Sequence, residues 1–93
     1  MQTITVKVIN EVGLHARPAA EFVKTAAQFK SKILVRNLAR PSAAPVDAKS
    51  ILSVLVLGVE KGHEIELTSE GEDEVQAVQS LRELIETDFA GKF

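Results

Sequence analysis

His15 stands two residues ahead of Arg17 in the run Gly13-Leu14-His15-Ala16-Arg17-Pro18. An uncharged imidazole is a nitrogen nucleophile. A guanidinium is a planar, permanently charged fork that fits phosphate oxygens. The pairing describes phosphoryl transfer: the ring takes the group and the arginine holds its oxygens. The plainer reading is a solvated surface histidine, and Arg17 could simply pair with Glu21 at i, i+4 for about 0.3–0.5 kcal/mol. What raises the sharper reading is the element that must carry these residues. Ala16 to Phe29 places Ala19, Phe22, Val23, Ala26 and Phe29 on one stripe, with Glu21, Lys24, Thr25 and Gln28 opposite, and so predicts a helix. Pro18 fits its first turn, where backbone N–H groups lack intrahelical partners. The N–H groups of Ala16 and Arg17 are then free to meet a phosphate, and the helix dipole favours its negative charge. The same dipole opposes an imidazolium, which favours the uncharged, nucleophilic ring.

The remaining elements follow from patterning. Thr3 to Ile9 alternates, with Ile4, Val6 and Val8 on one face, and predicts a strand. Asn10 to Gly13 is a turn. Lys32 to Arg36 is a second strand, Asn37 to Pro45 an Ala- and Pro-rich loop, and Val46 to Ala48 a short third strand. Ser50 can cap a short helix over Ile51 to Leu57, with Gly58 as its stop. A buried strand through Val54 to Leu57 is the rival. Glu64 to Thr68 is a strand with Ile65 and Leu67 inward. A last helix follows Gly71, its first turn acidic with Glu72, Asp73 and Glu74, its stripe Val75, Val78, Leu81 and Ile85. Past Asp88 a frayed tail is expected. Strands apolar on one face predict an α+β, two-layer fold: about four mostly antiparallel strands covered on one side by three helices.

Two further features could carry function. Ser50 as a cap contributes about 1 kcal/mol. As a phosphorylation site it would add about −2 charge beside Ile51, Leu52 and Leu55 without melting the helix, because negative charge suits an N-terminus. The helix it opens is apolar nearly all round. A small two-layer domain has little interior to hide every side, so one face is expected to dock a partner. His63, after Lys61-Gly62, reads as a solvated residue at a turn.

Composition narrows the classes. The chain has 93 residues and is 45 % hydrophobic, which predicts one domain over residues 1–93. A domain of this size buries roughly 60–65 % of its unfolded surface, leaving little room for a deep pocket. There is no cysteine, and so no disulfide or thiolate metal site. Met1-Gln2-Thr3-Ile4-Thr5 has neither a basic region nor a long apolar run, so no signal peptide is expected there, and a cytoplasmic location is. The Ile51 to Val59 stretch is too short to span a bilayer. Residues 1–50 hold eight Lys and Arg against three Asp and Glu, while residues 60–93 hold three against ten. A positive field around His15 would draw phosphoryl groups and acidic proteins. Nucleic acid is disfavoured: the cations are dispersed and no Trp or Tyr can stack on bases. No His/Asp/Glu spacing suits a metal, no Ser-His-Asp or Cys-His set appears, and no Walker-type loop could bind ATP. No cofactor or metal is expected, and the phosphoryl group must come from another protein.

Gly13-Leu14-His15-Ala16-Arg17-Pro18-Ala19 resembles the active-site motif of the HPr family, the histidine-containing phosphocarriers of the phosphoenolpyruvate-dependent sugar phosphotransferase system. Lys49-Ser50-Ile51-Leu52, running on to Leu57-Gly58, resembles the family's second signature around a regulatory serine. Motif separation, length and element order fit as well, so the resemblance covers essentially the whole chain. It implies that His15 accepts a phosphoryl group from phosphorylated enzyme I and passes it to IIA domains of sugar permeases, with Arg17 assisting. It implies docking through Ile51, Leu52 and Leu55, with Ala20 and Lys24 at the edge, and phosphorylation of Ser50 by an HPr kinase/phosphorylase. It implies the family's open-faced β-sandwich. Val12 stands where many members carry Asn or Ser, Ser53 where Gly or Lys is common, and the Leu38–Pro45 loop is several residues longer than usual. The protein is thus expected to be a monomeric phosphoryl-transfer protein with a phosphohistidine intermediate, rather than a stand-alone enzyme. The alternatives are a regulatory module that recruits a transcriptional regulator through phospho-Ser50, and a carrier in a nitrogen-related phosphorelay. A hydrolase lacks a paired acid and base at readable spacing.

Overall fold

The computed structural model describes residues 1–87 and 89. The elements run β1 (Gln2–Lys7), α1 (Ala16–Ala26), β2 (Lys32–Asn37), β3 (Val46–Asp47), α2 (Ile51–Val56), β4 (Glu64–Glu70) and α3 (Glu74–Glu86). The strands form one sheet in the order β1-β4-β2-β3, every neighbouring pair antiparallel. Alternation sets its two faces. Val6, Ile33, Val35, Ile65 and Leu67 are buried beneath the helices, while Thr3, Thr5, Lys7, Lys32, Glu64 and Glu70 face outward. On the outer face Arg36 and Glu66 are register partners and form an ion pair of 3.1 Å.

The three helices lie on the inner face. α1 packs between α2 and α3, and α3 lies over β1 and β4. α1 buries Pro18, Ala19, Phe22 and Ala26. Phe22 is wholly enclosed, and truncating such a phenylalanine to alanine costs about 3–5 kcal/mol. α1 stops at Ala26 rather than Phe29. Beyond it Gln28 N donates to Thr25 O (3.1 Å) and Phe29 N to Ala26 O (3.2 Å), so the chain tightens into i→i+3 turns.

α2 is helical, not a strand. Ser53 N donates to Ser50 Oγ (3.4 Å), and Gly58 closes the element at φ +61°. Val54 and Leu57 turn into the core, leaving Ile51, Leu52, Leu55 and Val56 exposed.

α3 departs from expectation at its start. Glu72 and Asp73 precede the helix, and only Glu74 lies in its first turn. The Asp73 carboxylate is recruited elsewhere: it accepts from Ser31 Oγ, from Lys30 N (2.8 Å) and from Ser31 N (2.9 Å). The Ser31 hydroxyl first, then the Lys30 amide, hold its carboxyl below the ordinary aspartate range. Val75 does not join the buried stripe, which is Ala77, Val78, Leu81 and Ile85; it projects from the first turn and is 42 % exposed. Of the tail expected to fray past Asp88, Phe89 is instead buried in the core, and residues 90–93 lie outside the described residues.

Candidate functional site

The segment between β1 and α1 is shaped by small, local restraints. Asn10 is buried, its Nδ2 donating to Gly13 O (2.6 Å), while Gly13 N donates to Asn10 O (3.1 Å). Gly13 takes φ +61°, and a Cβ there would stand 2.3 Å from Val59 O. Only glycine lets this segment lie against the backbone that leaves α2. Leu14 then plugs the core at 2 % exposure, and its N donates to Val59 O (3.0 Å). With Leu14 anchored inward, the next residue is turned out.

That residue is His15, exposed, at the N-cap of α1 with extended backbone (φ −88°, ψ −174°) and no capping hydrogen bond from its side chain. Ala19 N donates to His15 O (2.8 Å), the first bond of the helix. The N–H groups of Ala16 and Arg17 have no partner among the described residues, Pro18 has no N–H, and the first turn holds no acidic side chain. The Arg17 side chain is exposed and makes no ion pair among the described residues, so the Arg17–Glu21 pairing weighed from spacing is not formed. Val12, His15, Ala16, Arg17 and Pro18 line one open hollow of about 310 Å³. This wall offers an anion two amides, a helix end and a guanidinium.

His15 also borders a second hollow of about 390 Å³, with Glu11, Val12 and Glu60. Lys61 donates to Glu11 (2.7 Å), and this hydrogen bond with its ionic attraction holds the Glu11 carboxyl below the usual glutamate range. The histidine therefore stands between a cationic wall and an acidic one. A phosphoryl group on the ring would be favoured by the first and opposed by the second, which suits a bond meant to be transferred onward.

The other predicted site residues sit beside this centre. Ala20 and Lys24 are exposed on α1, and Ile51, Leu52 and Leu55 on the adjoining α2. Val56, 75 % exposed, extends that apolar face and was not singled out by its sequence context. Ser50 is half-buried at the start of α2, where its hydroxyl serves as the cap. Nothing local marks Glu60, which is brought to the centre as Val59 lies against Gly13. Asn10 had a readable cue in an asparagine three residues before a glycine. His63 is not a solvated turn residue: it is half-buried, and its Nδ1 accepts from Glu60 N (3.1 Å) and lies 3.3 Å from Asn37 Nδ2. Among the described residues no His, Cys, Asp or Glu group is placed to hold a metal ion, and no helix is long and apolar enough to cross a membrane.

Comparison with known proteins places this arrangement. The family described as the PTS HPr component phosphorylation site matches residues 2–87. The chain belongs to the HPr family. Among HPr relatives, the phosphocarrier protein HPr of Treponema pallidum is 45 % identical over 86 residues, covering 91 % of this chain and 92 % of its own length. The multiphosphoryl transfer protein of Haemophilus influenzae is 46 % identical over 83 residues, or 89 % of this chain, but the chain spans only 16 % of that protein. The crystal structure of HPr-C-His from Thermoanaerobacter tengcongensis superposes with a TM-score of 0.90 at 42 % identity, covering both chains fully. The open sheet with three helices on one face is thus the HPr fold.

Proposed function

We propose that the protein is a phosphoryl carrier of the phosphoenolpyruvate-dependent sugar phosphotransferase system, acting as a single HPr-like domain over residues 1–93. The observation that carries the reading is His15, exposed at a helix start whose Ala16 and Arg17 amides have no partner among the described residues. A ring nitrogen of His15 attacks the phosphorus held by enzyme I. The new N–P bond forms as the bond to the donor breaks, and the Arg17 guanidinium and the two amides receive the phosphoryl oxygens. The reverse geometry hands the group to a IIA domain. One arginine and two amides hold the phosphate without trapping it, as a carrier requires. Exposure of His15 lets a donor and then an acceptor approach phosphorus in line.

Ile51, Leu52 and Leu55, bordered by Ala20 and Lys24, would form the docking face. A second, regulatory reading attaches to Ser50. Its hydroxyl caps α2 beside that face, where a phosphate is compatible with the helix and would place charge against the apolar contact. A kinase/phosphorylase and a transcriptional regulator are the partners this would engage.

Incubation with phosphoenolpyruvate and enzyme I tests the carrier. An acid-labile, base-stable phosphate is expected on the wild type and none on His15→Ala. Phosphate that survives in His15→Ala would overturn the assignment.

A further inference from the structure

The long β2–β3 loop, Leu38–Pro45, lies at the same end of the sheet as His15. Leu38 N donates to Glu64 O at the head of β4 (2.9 Å), and Val8 N, just past β1, donates to His63 O (2.9 Å). The loop is held rather than slack. Arg40 N donates to Asn37 O (2.9 Å), Ala43 N to Arg40 O (3.0 Å), and Ala39 N to Asn37 Oδ1 (2.9 Å). Two successive turns therefore meet at Arg40. Asn37 is buried, and its Nδ2 donates to Leu57 O (3.1 Å), which ties the loop to the last turn of α2. The outcome is a specific placement: a Cβ on Gly58 would stand 2.9 Å from Arg40 Nη2, so the guanidinium lies over the residue that ends α2. It is exposed and makes no ion pair among the described residues.

We propose that Arg40 is a specificity-determining docking residue, a cationic anchor at the C-terminal end of α2 that pairs with a carboxylate on the phosphoryl-donor protein. The inference rests on the carrier reading. The apolar face of Ile51, Leu52, Leu55 and Val56 supplies contact area but little direction. Arg17 and Lys24 bring charge from α1, and Arg40 brings it from the far end of α2. Charges at two separated points fix how a partner is rotated over His15, which an apolar strip alone does not. A guanidinium that makes no ion pair among the described residues is suited to a bidentate carboxylate. The basic half of the chain favours an acidic partner for the same reason. The competing role is purely internal. α2 has no basic residue in its last turn, and Arg40 could merely complement that helix end.

The two roles separate in kinetics. Transfer from phosphoenolpyruvate through enzyme I would be followed at roughly 0.05 and 0.3 M salt for wild type, Arg40→Ala, Arg40→Glu and Arg40→Lys. Docking predicts a KM raised about three- to tenfold for Arg40→Ala at low salt, more for Arg40→Glu, and partly restored in Arg40→Lys. It also predicts an unchanged kcat, an effect that shrinks at high salt, and an unmoved Tm. A KM for Arg40→Glu within twofold of wild type at both salts overturns the proposal, as does a KM change that tracks a loss of Tm and ignores salt. Phosphorylated wild type with unaltered Arg40 variants overturns this inference alone. Absence of phosphate on the wild type overturns the carrier reading and this inference with it.

Discussion

α1 and α3 begin in opposite ways. At α3, Asp73 stands at the N-cap with its carboxylate engaged by Lys30 N, Ser31 N and Ser31 Oγ, and Glu74 in the first turn accepts from Gly71 N (3.2 Å). At α1 the N-cap is a histidine, the first turn holds no acid, and the Ala16 and Arg17 amides have no partner among the described residues. Neither N-cap side chain bonds its own helix, but the chain sets its own negative charge beside the start of α3 and none beside α1, which is left for negative charge that arrives from outside. α2 differs from both, since at its start the Ser50 hydroxyl accepts from Ser53 N. An uncapped start costs stability, and the cost falls where the proposed chemistry needs vacant donors.

The contrast can be broken most sharply at His15. His15→Ser should abolish phosphate uptake while raising stability by about 0.5–1 kcal/mol, because serine can cap α1 and the histidine does not. Radiolabel incorporation and thermal melts read the two effects, and a melt below wild type would refute the idea that this start is left open at a cost. Arg17→Ala should slow transfer about 10–100-fold with little change in Tm, since the side chain is exposed and makes no ion pair among the described residues; stopped-time labelling measures it. At the start of α3, Asp73→Asn should lower Tm by several degrees at neutral pH without altering transfer. The sign with pH follows from the lowered carboxyl: its contribution is complete above the ordinary aspartate value of 3.8 and fades as pH falls through the lower folded value. The Tm gap between wild type and Asp73→Asn should therefore close in acid, and a gap that stays constant to low pH would count against a stabilising role for the Asp73 contacts with Lys30 and Ser31. Ser50→Ala should cost about 1 kcal/mol or less, the smallest effect, as the cap bond is long; chemical denaturation resolves it.

Local order was legible, and long-range closure was not. The alternation of Ile4, Val6 and Val8 and the stripe through Ala19, Phe22 and Ala26 announced β1 and α1, because their periods are properties of neighbouring residues. Ser50 and Gly58 decided helix over strand for α2 by cap chemistry. His15, Ala16 and Arg17 could be read as a group because they are sequence neighbours on one helix start. Asp73 was read as a first-turn acid, since nothing local reveals a bond to Ser31, which lies on another element. The expectation of a solvated His63 fails because one of its partners, Asn37, reaches it only once β2 and β4 pair. Phe89 adopts φ +56° in the core, a conformation that a phenylalanine's propensity argues against.

His15 and Arg17 at the start of α1 and the exposed residues of the adjoining α2 are the surfaces that the carrier reading uses. Under the carrier reading, giver and receiver compete for one landing area and no three-protein assembly can form. Traffic must be sequential, so throughput depends on how fast each complex comes apart, and selection should cap the affinity of every contact on that surface.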